Sequence, residues 1–310
     1  MTSVQEAEVR FQQGAALLPA HLRRGAENLP VEKKQAAEEL RLRCGHPMTI
    51  SLPEGEEIPP GCENWPIQAA DIGQVLEIAT QASAHTVLDR VRNGFVTLRG
   101  GHRIGLCGSG VVRDGAVTNL RQLSSLSIRI ARAVTGTAGQ VLDELLEEGR
   151  LQNTLILSPP GGGKTTLLRD LIRVVSSGEG MAPMRVGVAD ERGELAAMYE
   201  GIPQFDLGRR TDVMDGCPKD AGLLMLLRGM NPQVLAADEI TAPADCAALE
   251  MAANCGVVLL ATAHAASLED LSARPLYRGL LEQHVFRRII SIERGSGTRH
   301  YHVTKLGVAV

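Results

Sequence analysis

At 310 residues the chain is long enough for two domains, each with its own hydrophobic core. Hydrophobic residues make up 44% of it, which fits a globular protein, and no uninterrupted apolar run approaches the roughly eighteen residues that a membrane span needs. The opening residues MTSVQEAEVR lack the basic start and apolar core of a secretory signal. We therefore expect a cytoplasmic protein.

The net charge of −4 is divided unevenly along the chain. Residues 1–135 carry 15 basic and 14 acidic side chains, and residues 136–310 carry 17 and 22. Neither half has the basic excess of a protein that is held to nucleic acid mainly through phosphates, and aromatic residues for base stacking make up only 3%. The composition disfavours nucleic acid as a partner, although it leaves room for a local basic groove.

The six cysteines are scattered without C-x-x-C pairs. This spacing favours reduced, mostly buried thiols over a zinc site or a disulfide framework.

Residues 1–135 predict a smaller α+β domain. ELRLRCGHPMTI, residues 39–50, predicts two strands with a turn at Gly45, and GFVTLRGGHRIGLCG, residues 94–108, predicts a hairpin that turns at two adjacent glycines. Between them, IGQVLEIATQAS has a helical pattern that we expect Asp71 to cap. We expect this domain to end at a linker marked by Gly136 and Gly139.

Residues 136–310 then alternate apolar strands with helical patterns, which predicts an α/β domain with a mostly parallel sheet. The candidate strands are TLIL (154–157), MRVGVAD (184–190), PQVLAAD (232–238) and GVVLLATAH (256–264). The last residues predict a closing hairpin that turns at 295–297. In such a sheet, ligands bind at the carboxyl ends of the strands.

A Gly-rich segment, SPPGGGKT, follows the first of these strands and precedes a helical pattern. It matches the phosphate-binding P-loop G-x-x-x-x-G-K-[ST] except that Ser158 replaces the first glycine, a change that serine can accommodate at modest backbone cost. Lys164 would neutralise the β and γ phosphates, and Thr165 would offer its hydroxyl to Mg²⁺. An ordinary strand-to-helix turn is disfavoured because the Lys-Thr pair and both flanking elements are present. The predicted ATP-binding residues are Ser158, Pro159, Pro160, Gly161, Gly162, Gly163, Lys164, Thr165 and Thr166.

Polar side chains also follow the other predicted strands. VLAADEI ends in Asp238 and Glu239, a Walker B pair in which the aspartate holds Mg²⁺ and the glutamate activates water. An acidic pair at a strand end is commonplace alone, but it is better explained as catalytic beside a P-loop. Further strand ends carry Asp190, Glu191 and, after LLATA, His264. A single histidine there is more often structural, yet all four strands deliver polar groups to one edge.

The order of P-loop, acidic box (Asp190 and Glu191), Walker B pair and histidine resembles the traffic ATPases of type II and type IV secretion, a RecA-like group of hexameric rings. LRLRCGHP, GFVTLRGGHRIGLCG, NLRQLSSLSIRIAR, VGVADERGELAA and GRRTDVMDGCPKDAGLLMLLRGMNPQVLAADEI more closely resemble the stage III sporulation protein AA family, over nearly the whole chain. The resemblance implies a homo-oligomer, expected to be a hexamer. It also implies a mother-cell ATPase, associated with the membrane through integral membrane proteins of the channel complex that joins mother cell and forespore.

The resemblance also implies roles for single residues. Glu191 would be a rival or a helper of Glu239 as the base, and His264 would sense the γ-phosphate. Arg228 would act across a subunit boundary as an arginine finger, with Arg209 and its neighbour Arg210 as alternatives, although exposed arginines are usually solvated charges.

One alternative belongs to a different functional class. Some plastid and cyanobacterial relatives resemble this ATPase core fused to RNA- or DNA-binding domains, so the chain could be a nucleotide-gated binding module associated with nucleic acid. No such added domain is visible in the sequence.

Overall fold

The computed structural model describes residues 3–80, 95–113, 115–295 and 298–307. The chain divides into two compact units, Met1–Arg132 with Tyr199–Gln204, and Ala133–Met198 with Phe205–Val310. The first unit thus ends three residues before residue 135 and includes a short segment from later in the chain, and the two-domain division itself stays a prediction. No helix in the described part of the chain is long and apolar enough to cross a membrane.

The first unit packs helices against an antiparallel sheet. Its helices are α1 (Ser3–Ala15), α2 (Ala20–Glu27), α3 (Val31–Ala36) and α4 (Ala69–Thr80). Its strands are β1 (Glu39–Arg43), β2 (Thr49–Leu52), β3 (Gly55–Glu57), β4 (Phe95–Thr97), β5 (Arg103–Arg113) and β6 (Ala116–Arg129). They lie in the order β3-β2-β1-β6-β5-β4, and Phe11, Leu40 and Ile104 are fully buried in the core.

Two predictions for this unit are confirmed and one is corrected. The pairs β1–β2 and β4–β5 are antiparallel as expected, with Gly100 at a φ of 84° in the second turn. The helix α4 begins at Ala69, so Asp71 lies in its first turn and is not the N-cap. The Asp71 carboxylate instead accepts the backbone N–H of Gln68 at 2.8 Å, the reach-back contact of a capping box. Residues 81–83 of the predicted helical stretch lie outside the described residues.

The second unit contains a mixed α/β fold. Its helices are α5 (Leu142–Leu145), α6 (Lys164–Ser177), α7 (Lys219–Gly229), α8 (Pro243–Asn254), α9 (Leu268–Ala273) and α10 (Pro275–Glu282). Its strands are β7 (Leu146–Glu147), β8 (Arg150–Leu151), β9 (Thr154–Leu157), β10 (Val186–Asp190), β11 (Thr211–Asp215), β12 (Val234–Ala237), β13 (Val258–Ala263), β14 (Arg288–Arg294) and β15 (Arg299–Lys305).

The main sheet of this unit has the order β11-β10-β12-β13-β9-β14-β15, and every neighbouring pair is parallel except β14–β15. Both faces are covered, because Leu155 and Leu157 belong to one hydrophobic cluster and the intervening Ile156 to another. All four predicted apolar strands are present, and the closing hairpin pairs as expected, although residues 296 and 297 of its turn lie outside the described part. The prediction of an α/β unit with a mostly parallel sheet is confirmed.

Candidate functional site

The Gly-rich loop (158–163) connects the buried strand β9 to α6. Gly161 and Gly163 have φ values of 73° and 106°, a backbone region that favours glycine. A Cβ atom on Gly162 would lie 1.6 Å from Oγ of Ser158, so this glycine is required by close packing. The loop therefore curls tightly over the buried Ser158 side chain before α6 begins.

Lys164 is the first residue of α6, and its side chain turns back into the loop, where only 4% of the residue is exposed. Its Nζ donates to the carbonyl oxygens of Ser158 at 2.8 Å and Pro159 at 3.1 Å, and contacts Nδ1 of His264 at 2.9 Å. Burial lowers the pKa of Lys164, while the charges of Asp238 and Glu239 act in the opposite direction.

Thr165 and Asp238 form an oxygen-rich pair beside this lysine. The Thr165 hydroxyl donates to Oδ2 of Asp238 at 2.7 Å, and the Thr262 hydroxyl donates to Oδ1 at 2.5 Å. Burial raises the pKa of Asp238, and both hydroxyl groups oppose that rise. A hydroxyl and a carboxylate are the hard oxygen ligands that Mg²⁺ prefers, so the residues present fit a magnesium ion.

Glu239 and His264 continue the network from Lys164. Nε2 of His264 lies 2.7 Å from Oε1 of Glu239, and Nη1 of Arg192 donates to the other carboxylate oxygen at 2.6 Å. The lysine ammonium can only donate, so Nδ1 of His264 accepts from it, and Nε2 carries the proton that is donated to Glu239. Lys164 therefore donates a hydrogen bond to His264, and His264 donates one to Glu239.

The backbone of Glu239 is held in an uncommon conformation. Its φ is 52°, in the left-handed region that residues other than glycine adopt at a cost of about 1–3 kcal/mol. Residues with such strained backbones cluster at functional sites. Its N–H donates to the Thr262 hydroxyl at 2.8 Å, and its carbonyl accepts from Nζ of Lys219 at 2.8 Å. These two contacts fix the position of the carboxylate that faces His264.

The two residues of the predicted acidic box have different surroundings. The buried Asp190 carboxylate accepts the backbone N–H groups of residues 194–196 at 2.8 to 3.1 Å, so it shapes the loop after β10. The Glu191 side chain is 43% exposed and lies 3.2 Å from Nζ of Lys219. The same lysine bonds the carbonyl of Glu239, so it links the two candidate bases.

The candidate arginine fingers lie at the other edge of the sheet. Arg228 is exposed at the end of α7 and lines a cleft with Arg185 and Gln233, which precede β10 and β12. Arg210 immediately precedes β11, next to Arg209. These side chains lie at the amino ends of the strands, and the Gly-rich loop lies at the carboxyl end of β9. A role for Arg228 across a subunit boundary stays a prediction.

The remaining predicted residues lie where the loop pattern places them. Pro160 is exposed in the loop and Thr166 is half-buried in the first turn of α6. Lys219 and Arg299 were not identified from the sequence, and they lie at the starts of α7 and β15, far in sequence from the Gly-rich loop. No motif marks either residue.

Several known proteins resemble this chain. The model of the family described as "Sporulation stage III, protein AA" matches residues 8–302. Stage III sporulation protein AA of Bacillus subtilis is 38% identical over 284 residues, which are 91% of each chain. A protein of Porphyra purpurea, ycf45, is 32% identical over 185 residues, 56% of this chain and 32% of its own.

Two solved structures share the fold at low sequence identity. The pilus retraction motor PilT with bound ADP has a TM-score of 0.59 at 16% identity, and covers 91% of this chain and 84% of its own. The ATPase DotB of Legionella pneumophila has a TM-score of 0.56 at 14% identity, with coverages of 86% and 76%. The chain thus shares the fold of these two proteins. By the extent of the family match and the Bacillus relative, the chain belongs to the stage III sporulation protein AA family.

Proposed function

We propose that this chain is a Mg²⁺-dependent ATPase. One observation carries the proposal: Lys164, the Thr165–Asp238 pair and the Glu239–His264 pair converge at the carboxyl ends of β9, β12 and β13. Lys164 contacts His264, and the Thr262 hydroxyl bonds both the Asp238 carboxylate and the backbone of Glu239. This edge of the sheet is where α/β folds bind ligands.

The loop and its lysine would hold the phosphates. The backbone N–H groups of the Gly-rich loop and the amino end of α6 favour an anion, and Lys164 would leave the Ser158 carbonyl to neutralise the β and γ oxygens. Thr165 and Asp238 would hold the magnesium ion, which screens the charge that develops on the phosphates. Transfer of the γ-phosphoryl group to water would then depend on the carboxylate beside them.

Glu239 would accept the proton of the attacking water. Both of its oxygens are engaged by donors, His264 and Arg192, so it can hold a water only after one of them gives way. Departure of Lys164 towards phosphate takes away the donor to Nδ1 of His264 and so loosens one of these contacts. Nucleotide binding would thereby prepare the base.

The direct test is ATP turnover in Lys164→Ala. We expect a loss of at least about a hundredfold, because no other cation of the loop can neutralise the transferring group. Lys305→Ala, which removes an exposed lysine from the same unit, is the matched control and should keep wild-type turnover. Undiminished hydrolysis in Lys164→Ala would remove the assignment of the Gly-rich loop.

We further propose that the ATPase works as a homo-oligomeric ring, expected to be a hexamer, that energises a membrane-embedded complex during endospore formation. Family membership supports the link to sporulation, and the neighbour described as a pilus retraction motor supports mechanical work. Sedimentation of Glu239→Gln with ATP tests the ring, since nucleotide held between subunits favours assembly by mass action. Retention of ATP by a protein that remains monomeric would remove the ring and leave the ATPase.

The link to the membrane needs a separate measurement. We expect ATP turnover to rise when membranes that carry the integral proteins of the sporulation channel complex are added. Membranes without those proteins are the control, and equal turnover in both would argue against this coupling.

A further inference from the structure

Arg299 lies across the Gly-rich loop although it comes from the other end of the unit. A Cβ atom on Gly163 would lie 2.8 Å from Nε and 3.0 Å from Cζ of Arg299, so the guanidinium covers the Cα of this glycine. The strand order explains the contact. β14 is parallel to β9, and β15 runs back antiparallel from it, so β15 begins with Arg299 at the same edge where β9 ends.

The Arg299 guanidinium is exposed, and it makes no ion pair or hydrogen bond with the residues that the structure describes. Its positive charge is close enough to Tyr301 to counteract the rise in pKa that burial gives that phenol. The donors of Arg299 are therefore available to a ligand, while contact with Gly163 places them beside the amino end of α6.

Arg299 and Lys164 approach the loop from opposite sides of β9. Lys164 points towards β13, where it contacts His264, and the Asp238–Glu239 pair lies beyond that strand at the end of β12. β14 and β15 flank β9 on its other side. If the γ-phosphate lies beside Lys164 and Glu239, the far side of the loop faces the end of the nucleotide that carries the ribose and the base.

We propose that Arg299 is a nucleotide-binding residue that contacts the nucleoside of the ligand, with its guanidinium against the face of the purine ring. A planar guanidinium suits this contact, because it lies flat against an aromatic ring. This role rests on the proposed ATPase function and adds to it a residue that sets affinity for ATP and ADP alike, without acting in the hydrolytic step.

The test compares three probes on the full chain: the non-hydrolysable ATP analogue AMP-PNP, ADP and inorganic tripolyphosphate. In Arg299→Ala we expect the Kd of AMP-PNP and that of ADP to rise together by about fivefold, the scale of one lost contact between a cation and an aromatic face. Tripolyphosphate binding should stay within about twofold of wild type, because this probe lacks a nucleoside. In steady-state hydrolysis KM should rise while kcat stays within about threefold.

Two further variants complete the test. Arg287→Ala removes an exposed arginine at the other end of the same hairpin and should bind all three probes as wild type does. Arg299→Lys keeps the charge without the flat guanidinium and should recover only part of the affinity. Thermal unfolding of each variant should match wild type, since Arg299 has no described side-chain partner.

Several results would overturn the inference. Weaker AMP-PNP binding with unchanged ADP binding would assign Arg299 to the γ-phosphate. An equal loss for tripolyphosphate would assign it to the phosphate tail. Wild-type affinities in Arg299→Ala would remove the contact while leaving the ATPase intact. If wild-type protein bound neither nucleotide, the proposed function would fail together with this inference.

Discussion

Glu239→Gln is expected to stop hydrolysis and to tighten nucleotide binding at the same time. Both oxygens of the carboxylate accept hydrogen bonds, from Nε2 of His264 at 2.7 Å and from Nη1 of Arg192 at 2.6 Å. A glutamine amide offers one oxygen and one NH₂ group, so one of these two donors must face another donor. The substitution therefore weakens the contacts that hold the Lys164 side chain against the loop, and it removes the proton acceptor.

The size of the effect follows from the same contacts. A hydrogen bond to a charged group contributes about 1.5–3 kcal/mol, but the Arg192 side chain is 60% exposed and solvent screens its share. The negative charge of Glu239 also attracts Lys164, and that attraction is lost too. If the contacts that hold Lys164 away from phosphate become weaker by about 1 kcal/mol, nucleotide binding should tighten about fivefold. Hydrolysis should fall by at least about a hundredfold.

Affinity is measured with AMP-PNP, so that turnover does not distort the comparison, and bound ATP is identified after rapid desalting. Glu191→Gln is the matched control. Glu191 lies beside Lys219 and is more exposed, so we expect its substitution to reduce turnover without tightening AMP-PNP binding or trapping ATP. If Glu191→Gln retained ATP while Glu239→Gln still hydrolysed it, the acidic box would be the catalytic one. Unchanged AMP-PNP affinity in Glu239→Gln would show that its contacts do not oppose binding.

Three further predictions concern the loop and the first unit. Ser158→Gly should leave ATP affinity unchanged or modestly improved, because among the described residues the Ser158 hydroxyl bonds only the adjacent Pro159 carbonyl, at 3.1 Å. A large rise in Kd would show a specific contact with nucleotide. Gly162→Ala should weaken ATP binding at least about tenfold, since the Cβ of the new alanine would collide with Oγ of Ser158. A double-mutant cycle should show that much of this loss disappears when Ser158→Gly is also present. Burial lowers the pKa of His102 to about 4, so the unfolded chain binds the proton more readily than the folded one. The free energy of unfolding, measured by denaturant titration, should therefore be greatest above about pH 6.5 and fall by about 2 kcal/mol between pH 7 and pH 5. The fall should be smaller in His102→Gln.

The Gly-rich loop could be predicted from the sequence because its signals are contiguous. Strand, glycines, lysine and helix follow one another within 24 residues, from Thr154 to Ser177. The acidic pair after β12 could be predicted for the same reason. Parallel strands then bring such separate ends to one edge of the sheet, which is why His264 meets Lys164, 100 residues earlier in the chain.

Other features were missed because their causes are not local. The edge strand β11 has only partly exposed or exposed residues, so TDVMD shows no continuous apolar run. The helices α2 and α3 were not predicted. Pro19 and Pro30 are typical turn residues, but each of them is the N-cap of one of these helices. The sequence places Asp190 and Glu191 side by side in the acidic box, and only the folded loop shows that the first is a buried structural carboxylate and the second an exposed one.

The serine at the first position of the loop shows what a motif departure means physically. A glycine is expected there because the backbone needs space and freedom as the chain leaves the strand. In this loop the Ser158 side chain occupies space that a side chain on Gly162 would need, and Lys164 is bonded by the backbone carbonyl of Ser158 and not by its hydroxyl. Gly162 is therefore the position in this loop where a side chain would collide and glycine is needed. Because the lysine contact does not depend on the side chain at position 158, the departure from the motif leaves in place the group that would bind phosphate.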